Sequence, residues 1–131
     1  MAYRFYFASS FRRSLKSLEK KYPHIKADTK TALRVLEHSP QLGDVIPGSG
    51  GIRKLRIPNS DAARGKSGGY RLLYVIRPDR ELIGLLLLYA KSDRADVTRA
   101  ELIDLLRSLS QDLGERFIRE EQTEYEIQSN E

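Results

Sequence analysis

The stretch YRLLYVIRPDRELIGLLLLYAK, residues 70–91, is the most informative part of the sequence for predicting the fold. Bulky and β-branched side chains fill both of its halves, and such residues favour strands. Pro78 and Asp79 between the halves are typical of a tight turn. The stretch therefore predicts two antiparallel strands, Tyr70 to Arg77 and Glu81 to Lys91. The second strand is apolar on both faces, which predicts that it is covered from both sides.

The chain before this stretch predicts two further strands and a pair of helices. Residues 52–58 continue the meander upstream, after a segment rich in glycine and proline, residues 41–51, that predicts a loop. Apolar residues recur at helical spacing between Phe11 and Tyr22, where Ser9 and Ser10 can cap the start of a helix. A second helix is predicted for residues 25–38, before Pro40. The opening alternation of Tyr3, Phe5 and Phe7 is typical of a strand.

A last helix completes the predicted fold. Thr98 and Glu101 have the spacing of a capping box, leucines follow at helical spacing, and Gly114 ends the pattern. The sequence thus predicts an α+β domain of order β-α-α-β-β-β-α, with an antiparallel meander packed against helices, over residues 1–114. Residues 115–131 form an acidic tail, for which the composition allows either a helix or disorder.

Composition favours a polyanionic partner. The 131 residues include 23 lysines and arginines and 18 acids, a net charge of +5. Six acids against two arginines give residues 115–131 a charge of −4, which leaves +9 on residues 1–114. Such a charge attracts nucleic acid. No signal peptide or membrane span is recognisable and cysteine is absent, so we expect a soluble, cytoplasmic protein.

The basic residues fall at positions that can form one site. Alternation along the strand predicted at residues 52–58 puts Lys54 and Arg56 on one face. Arg71 interrupts an otherwise apolar strand, where a charge is costly unless it faces a cleft or an anion. Lys91 ends the next strand on the side of Tyr89. The two histidines have no carboxylate pattern around them, so the sequence predicts neither a metal site nor a catalytic triad.

Three segments resemble a known family: GIRKLR at residues 51–56, GKSGGYRLLY at 65–74 and LYAKSD at 88–93. Together they are similar to the RelE/ParE toxin superfamily, with the HigB-like branch nearest. The resemblance implies a RelE-like fold and an mRNA interferase that cleaves mRNA on the ribosome. It implies four catalytic residues: Lys54, Arg56, Arg71 and Lys91. We expect further RNA contacts from Arg53, Arg64, Lys66, Tyr89 and Arg94.

These side chains suit metal-independent cleavage, in which the 2′-hydroxyl of RNA attacks the adjacent phosphate. Arg71 and Arg56 are candidates to stabilise the charge that builds on the phosphoryl oxygens. Either Lys54 or Lys91 can act as the base. Some family members hold the nucleotide with a tyrosine just before the last helix, where this sequence has Thr98. That departure leaves the base-stacking role unassigned.

Partners and alternatives follow from the same resemblance. It implies a type II toxin–antitoxin system, with a cognate antitoxin protein, mRNA and the ribosome as partners, and with no membrane and no small-molecule cofactor. Two other functions fit the sequence as well. One is a ParE-like toxin that targets gyrase, and the other is an RNA-binding module without catalysis.

Overall fold

The computed structural model describes residues 2–61 and 68–115, which contain a five-stranded mixed sheet. The strands are β1 (Arg4–Phe7), β2 (Asp44–Val45), β3 (Arg53–Ile57), β4 (Tyr70–Arg77) and β5 (Leu82–Ala90). Their order across the sheet is β1-β5-β4-β3-β2. Strand β1 pairs with β5 in parallel, whereas the other neighbours are antiparallel.

Three helices accompany the sheet in the described ranges: α1 (Ser9–Glu19), α2 (Ile25–Leu36) and α3 (Arg99–Asp112). The predicted capping box at the start of α3 is confirmed. The Thr98 hydroxyl accepts from the Glu101 N–H at 3.1 Å, and the Glu101 carboxylate accepts from the Thr98 N–H at 2.9 Å. These bonds fix the angle at which the chain leaves β5 and enters α3. None of the described helices has the length and apolar character needed to cross a membrane.

The sheet has an apolar core on each face. One core packs Phe11, Ile25 and Leu36 of α1 and α2 against β4 and β5. The other packs Leu102 and Leu109 of α3 against the opposite face. The prediction that β5 is covered on both sides is therefore confirmed. The two cores leave the end of the sheet that carries the basic residues free of a covering helix, since β3 is exposed there at Arg56.

Gly84 in β5 lets α3 lie against the sheet. A Cβ atom at this position would stand 2.7 Å from a terminal methyl of Leu109, which is closer than packed carbon atoms approach. A glycine in a strand often marks such a close approach. The helix therefore reaches the sheet at this strand, and its first turn comes to lie near the end of β5.

Two local predictions are wrong. The predicted loop at residues 41–51 contains β2. This strand pairs Asp44 with Lys54 and so covers the edge of β3 that does not face β4. Ser9 and Ser10 do not cap α1, because the N-cap residue is Ala8 and the Ser10 hydroxyl donates to the Leu86 carbonyl at 2.6 Å instead. Helix α2 also ends at Leu36, before the predicted limit. The predicted tail beyond residue 115 lies outside the described residues.

We expect Tyr74→Phe to lower the free energy of unfolding by about 1–3 kcal/mol, because it leaves two buried polar groups unpartnered. The Tyr74 side chain is fully buried, and its hydroxyl donates to the Pro40 carbonyl at 2.6 Å and accepts from the Gly43 N–H at 2.8 Å. Urea denaturation measures the loss. Tyr89→Phe is the control, since the buried Tyr89 hydroxyl has no partner among the described residues. Equal midpoints for both variants would contradict this assignment.

Candidate functional site

Strand register places three of the predicted site residues in one row. Arg56 of β3 lies opposite Arg71 of β4, and Arg71 lies opposite Tyr89 of β5. Directly opposed residues of antiparallel strands have Cβ atoms about 4.5–5.5 Å apart and point to the same face. Two arginines are therefore held side by side on the face that α3 packs against further along. Like charges in such a pair are destabilising unless something offsets them.

The Arg71 guanidinium is fixed along one edge. Its Nη1 atom donates to the carbonyls of Gly68 and Tyr70, the latter at 3.2 Å. No described residue accepts a hydrogen bond from its Nε or Nη2, and no described carboxylate pairs with it. The side chain is partly buried, so the bonds to its own strand orient it while the remaining donors stay available for a ligand.

Lys91 meets Arg71 at Gly68. A Cβ atom on Gly68 would lie 3.3 Å from the Cβ of Lys91, so the lysine stem crosses directly over this glycine. The ammonium group then turns back and donates to the Ala95 carbonyl at 3.0 Å. The Lys91 backbone is held as well, because its N–H donates to the Gly69 carbonyl at 2.9 Å. Lys91 and Arg71 thus share one short stretch of backbone as their support.

Lys54 joins the group through Asp96. The Lys54 ammonium lies 3.6 Å from the Asp96 carboxylate, and alternation along β3 puts Lys54 on the same face as Arg56. The Val97 N–H, which donates to Asp96, lowers the pKa of that carboxyl, and the charges of Lys54 and Lys91 lower it further. The charges of both lysines therefore act on the same carboxylate.

Arg94 covers Tyr89. The guanidinium carbon of Arg94 lies 5.6 Å from the centre of the Tyr89 ring, within the range of a cation–π contact. Arg94 also donates to Glu101 at 2.7 Å, and this bond, with the Thr98 N–H, lowers the pKa of Glu101 to about 2. Burial raises the pKa of Tyr89, and the charge of Asp96 adds to the rise, whereas Arg71 and Arg94 oppose it. The capping box of α3 thus also holds an arginine of the site.

The structure brings six of the nine predicted site residues to one surface, which we call the basic cluster: Lys54, Arg56, Arg71, Tyr89, Lys91 and Arg94. Arg53 does not reach it. Alternation turns Arg53 to the opposite face of β3, where its Nη1 donates to the carbonyls of Gln41 and Gly43 at 3.1 and 2.6 Å. Arg53 therefore fastens the segment before β2 to the sheet. Arg64 and Lys66 lie outside the described residues.

Sequence reasoning did not single out Asp96. Its position two residues before the capping box of α3 was a usable signal, because that turn has to pass the end of β5 where Lys91 lies. Among the described residues, no group of histidine, cysteine, aspartate or glutamate side chains is arranged to hold a metal ion. Within the described ranges, this surface carries guanidinium and ammonium groups, the buried phenol of Tyr89 and the carboxylates of Asp96 and Glu101.

We expect Tyr89→Phe to leave stability within about 0.5 kcal/mol of wild type, since the hydroxyl has no partner to lose among the described residues. A ligand that bonds to this hydroxyl would make the same variant bind less tightly, by about ten-fold for one hydrogen bond to a charged group. Thermal unfolding and RNA affinity measured side by side separate the two effects. A large stability loss would show that the hydroxyl has a structural partner.

The element order, the mixed sheet and the position of α3 define a RelE-like α+β fold. E. coli toxin RelE, in a free-state mutant with two arginines replaced by alanine, is 18% identical, with a TM-score of 0.52 over 86% of this chain and 99% of that chain. The toxin–antitoxin complex RelBE2 from Mycobacterium tuberculosis contains a chain that is 24% identical, with a TM-score of 0.53 over 73% of this chain and 95% of that chain. No family model matches the sequence. The likeness confirms the predicted fold.

Proposed function

We propose that this protein is a RelE/ParE-superfamily toxin of a type II toxin–antitoxin system, from the HigB-like branch, and that it is a metal-independent endoribonuclease. Its target is mRNA on the ribosome in the cytoplasm, and cleavage stops translation and growth. The fold shared with two toxins supports the first part of the proposal. The pairing of Arg56 directly opposite Arg71 carries the second part, because a bound phosphate offsets the repulsion between them.

The proposed reaction is a transesterification. The 2′-hydroxyl oxygen forms a bond to the adjacent phosphorus, and the bond from phosphorus to the 5′-oxygen of the next nucleotide breaks. Negative charge builds on the non-bridging oxygens in the transition state. Arg71 and Arg56 stabilise that charge with planar donors, and the backbone bonds of Arg71 orient it before the substrate arrives. The products are a 2′,3′-cyclic phosphate and a 5′-hydroxyl.

Two proton transfers accompany this step, and Lys54 and Lys91 are the candidates to carry them. One neutral lysine accepts the proton of the 2′-hydroxyl, and a protonated cation of the basic cluster donates a proton to the departing 5′-oxygen. Both lysines lie beside the Asp96 turn, on the surface that holds Arg71. This arrangement supports separate roles, in which the arginines stabilise the negative charge of the transition state and the lysines transfer protons.

A translation reaction reconstituted from purified components tests the proposal against its alternatives. We expect the protein to cut ribosome-bound mRNA with or without a chelator that keeps trace transition metals out of the reaction. Gyrase-dependent DNA breakage with intact mRNA would instead favour the ParE-like function. Salt-sensitive RNA binding without any cleavage would favour a binding module, since counterion release drives such binding.

We further propose a cognate antitoxin protein as a partner, in line with the RelBE2 structure, which is a toxin–antitoxin complex. An open groove of about 680 Å³ between α1 and α2 supports this, because Phe7, Phe11, Leu15 and Leu33 line it with apolar surface. Phe7 is 41% exposed. Co-expression with the product of the adjacent gene should restore growth and yield a stable complex. Survival without any neighbouring protein would count against this partner.

A further inference from the structure

The turn between β5 and α3 places oxygen atoms against both lysines of the basic cluster. The Ala95 carbonyl accepts from Lys91 at 3.0 Å, and the Asp96 carboxylate lies 3.6 Å from the Lys54 ammonium. These are the two lysines that the proposed function makes candidates for proton transfer during RNA cleavage. In the structure their ammonium groups are thus directed at oxygens of the protein itself, one of which carries a full negative charge.

Asp96 is paired with its cation more weakly than the other acids of this region are, although its carboxylate also accepts from the Val97 N–H at 2.8 Å. Asp93 pairs with Lys21 at 2.9 Å and Glu101 pairs with Arg94 at 2.7 Å, and Glu101 also belongs to the capping box. The Asp96 pair with Lys54 is longer, and the Asp96 side chain is 69% exposed. Exposed pairs of this length contribute little to stability. A stronger anion can therefore replace Asp96 at Lys54 at small cost.

The turn that carries Asp96 is fixed at both ends. The N–H groups of Asp93 and Arg94 donate to the Ala90 carbonyl, and Thr98 begins the capping box. Lys21 of the segment after α1 also binds Asp93. Because the backbone is tied on either side, we expect side-chain motion of Lys54 or Asp96 to separate the pair without opening the turn. Rotation of Asp96 would also give up the bond that its Oδ1 accepts from the Val97 N–H at 2.8 Å.

We propose that Asp96 is an internal competitor for RNA, in that its carboxylate occupies the position at Lys54 which a backbone phosphate of the substrate takes. This inference rests on the proposed function for the identity of the polyanion. Binding requires the phosphate to displace the carboxylate, and the displaced charge then repels the phosphate from a short distance. Asp96 thereby weakens binding to RNA in general. As a result, less of the protein binds RNA that is not the mRNA on the ribosome.

The test compares Asp96→Asn with Asp93→Asn, which removes the same charge three residues away. Asparagine keeps the oxygen that accepts from the Val97 N–H, so the turn retains its bond. The probe is a short oligonucleotide with 2′-deoxyribose at the cleavage position, followed by fluorescence anisotropy. We expect Asp96→Asn to bind about five-fold tighter, from the repulsion between two unit charges at about 4 Å in water. Asp93→Asn should change affinity less than about two-fold, and added salt should shrink the difference.

Three outcomes overturn the inference: equal tightening by both variants, weaker binding by Asp96→Asn, or no binding by any form of the protein. Circular dichroism of each variant confirms that the comparison is between folded proteins. A parallel assay with the all-ribose oligonucleotide in the translation reaction judges the proposed function separately. Tighter binding by Asp96→Asn with no cleavage by wild type would contradict the proposed nuclease activity and support the competitor role of Asp96.

Discussion

Arg71→Ala is expected to lower mRNA cleavage by at least about 100-fold, the usual cost of removing one group that stabilises transition-state charge. Growth inhibition should disappear with it. The fold should survive, because the Arg71 side chain bonds only to the nearby carbonyls of Gly68 and Tyr70 among the described residues. The measurement is cleavage of ribosome-bound mRNA by purified protein, together with colony formation after induction.

Two further variants make the Arg71 result specific. Arg71→Lys keeps the charge and loses the planar fork, so we expect it to recover only a small part of the activity. Arg34→Ala removes an exposed arginine from α2, on the other side of the sheet, and should cleave like wild type. Full toxicity of a well-expressed Arg71→Ala protein would show that this arginine has no part in catalysis.

Gly69→Ala is expected to cost at least about 2 kcal/mol of folding free energy. Gly69 has φ +59°, a left-handed conformation that costs other residues about 1–2 kcal/mol. A Cβ atom there would also overlap the backbone carbonyl oxygen of Ile57, so β3 and β4 would have to move apart. Overpacking of this kind adds about 1–3 kcal/mol. Chemical denaturation measures the loss.

Gly114→Ala is the matched control for this prediction. Gly114 also has a left-handed backbone, φ +71°, but apart from its chain neighbours no atom of the described residues lies within 4 Å of the added methyl group. It should therefore show the conformational cost alone, about 1–2 kcal/mol. Since Gly69 also accepts from the Lys91 N–H, its substitution should lower RNA cleavage as well. Equal stability losses in the two variants would mean that β3 and β4 tolerate the added methyl group.

Local pattern was sufficient to predict most of the fold. The two-residue period of the first strand, the apolar run of β5 and the capping box at Thr98 each depend on neighbouring residues, and each appears where it was expected. Strand β2 was not predictable, because two residues are too few to show a period. The parallel pairing of β1 with β5 joins distant segments and leaves no local signal.

The site was predictable where alternation applied and unpredictable where it depended on tertiary contact. Alternation put Lys54 and Arg56 together, and the cost of burying a charge singled out Arg71. The same alternation argues against Arg53, which entered the prediction through a sequence motif and instead binds the backbone before β2. Asp96 follows β5 and meets Lys54 of β3 only because β4 pairs with both strands in one sheet, which the sequence between them does not reveal.

The chemical groups at the RNA ends distinguish attack by the 2′-hydroxyl from other routes of cleavage. RNA isolated shortly after induction, or from the translation reaction, can be analysed for the groups at each cleavage site. Attack by the 2′-hydroxyl within the basic cluster predicts fragments with a 2′,3′-cyclic phosphate on one side and a 5′-hydroxyl on the other. Fragments that carry a 3′-hydroxyl and a 5′-phosphate, or intact mRNA beside growth-inhibiting wild-type protein, would contradict this mechanism.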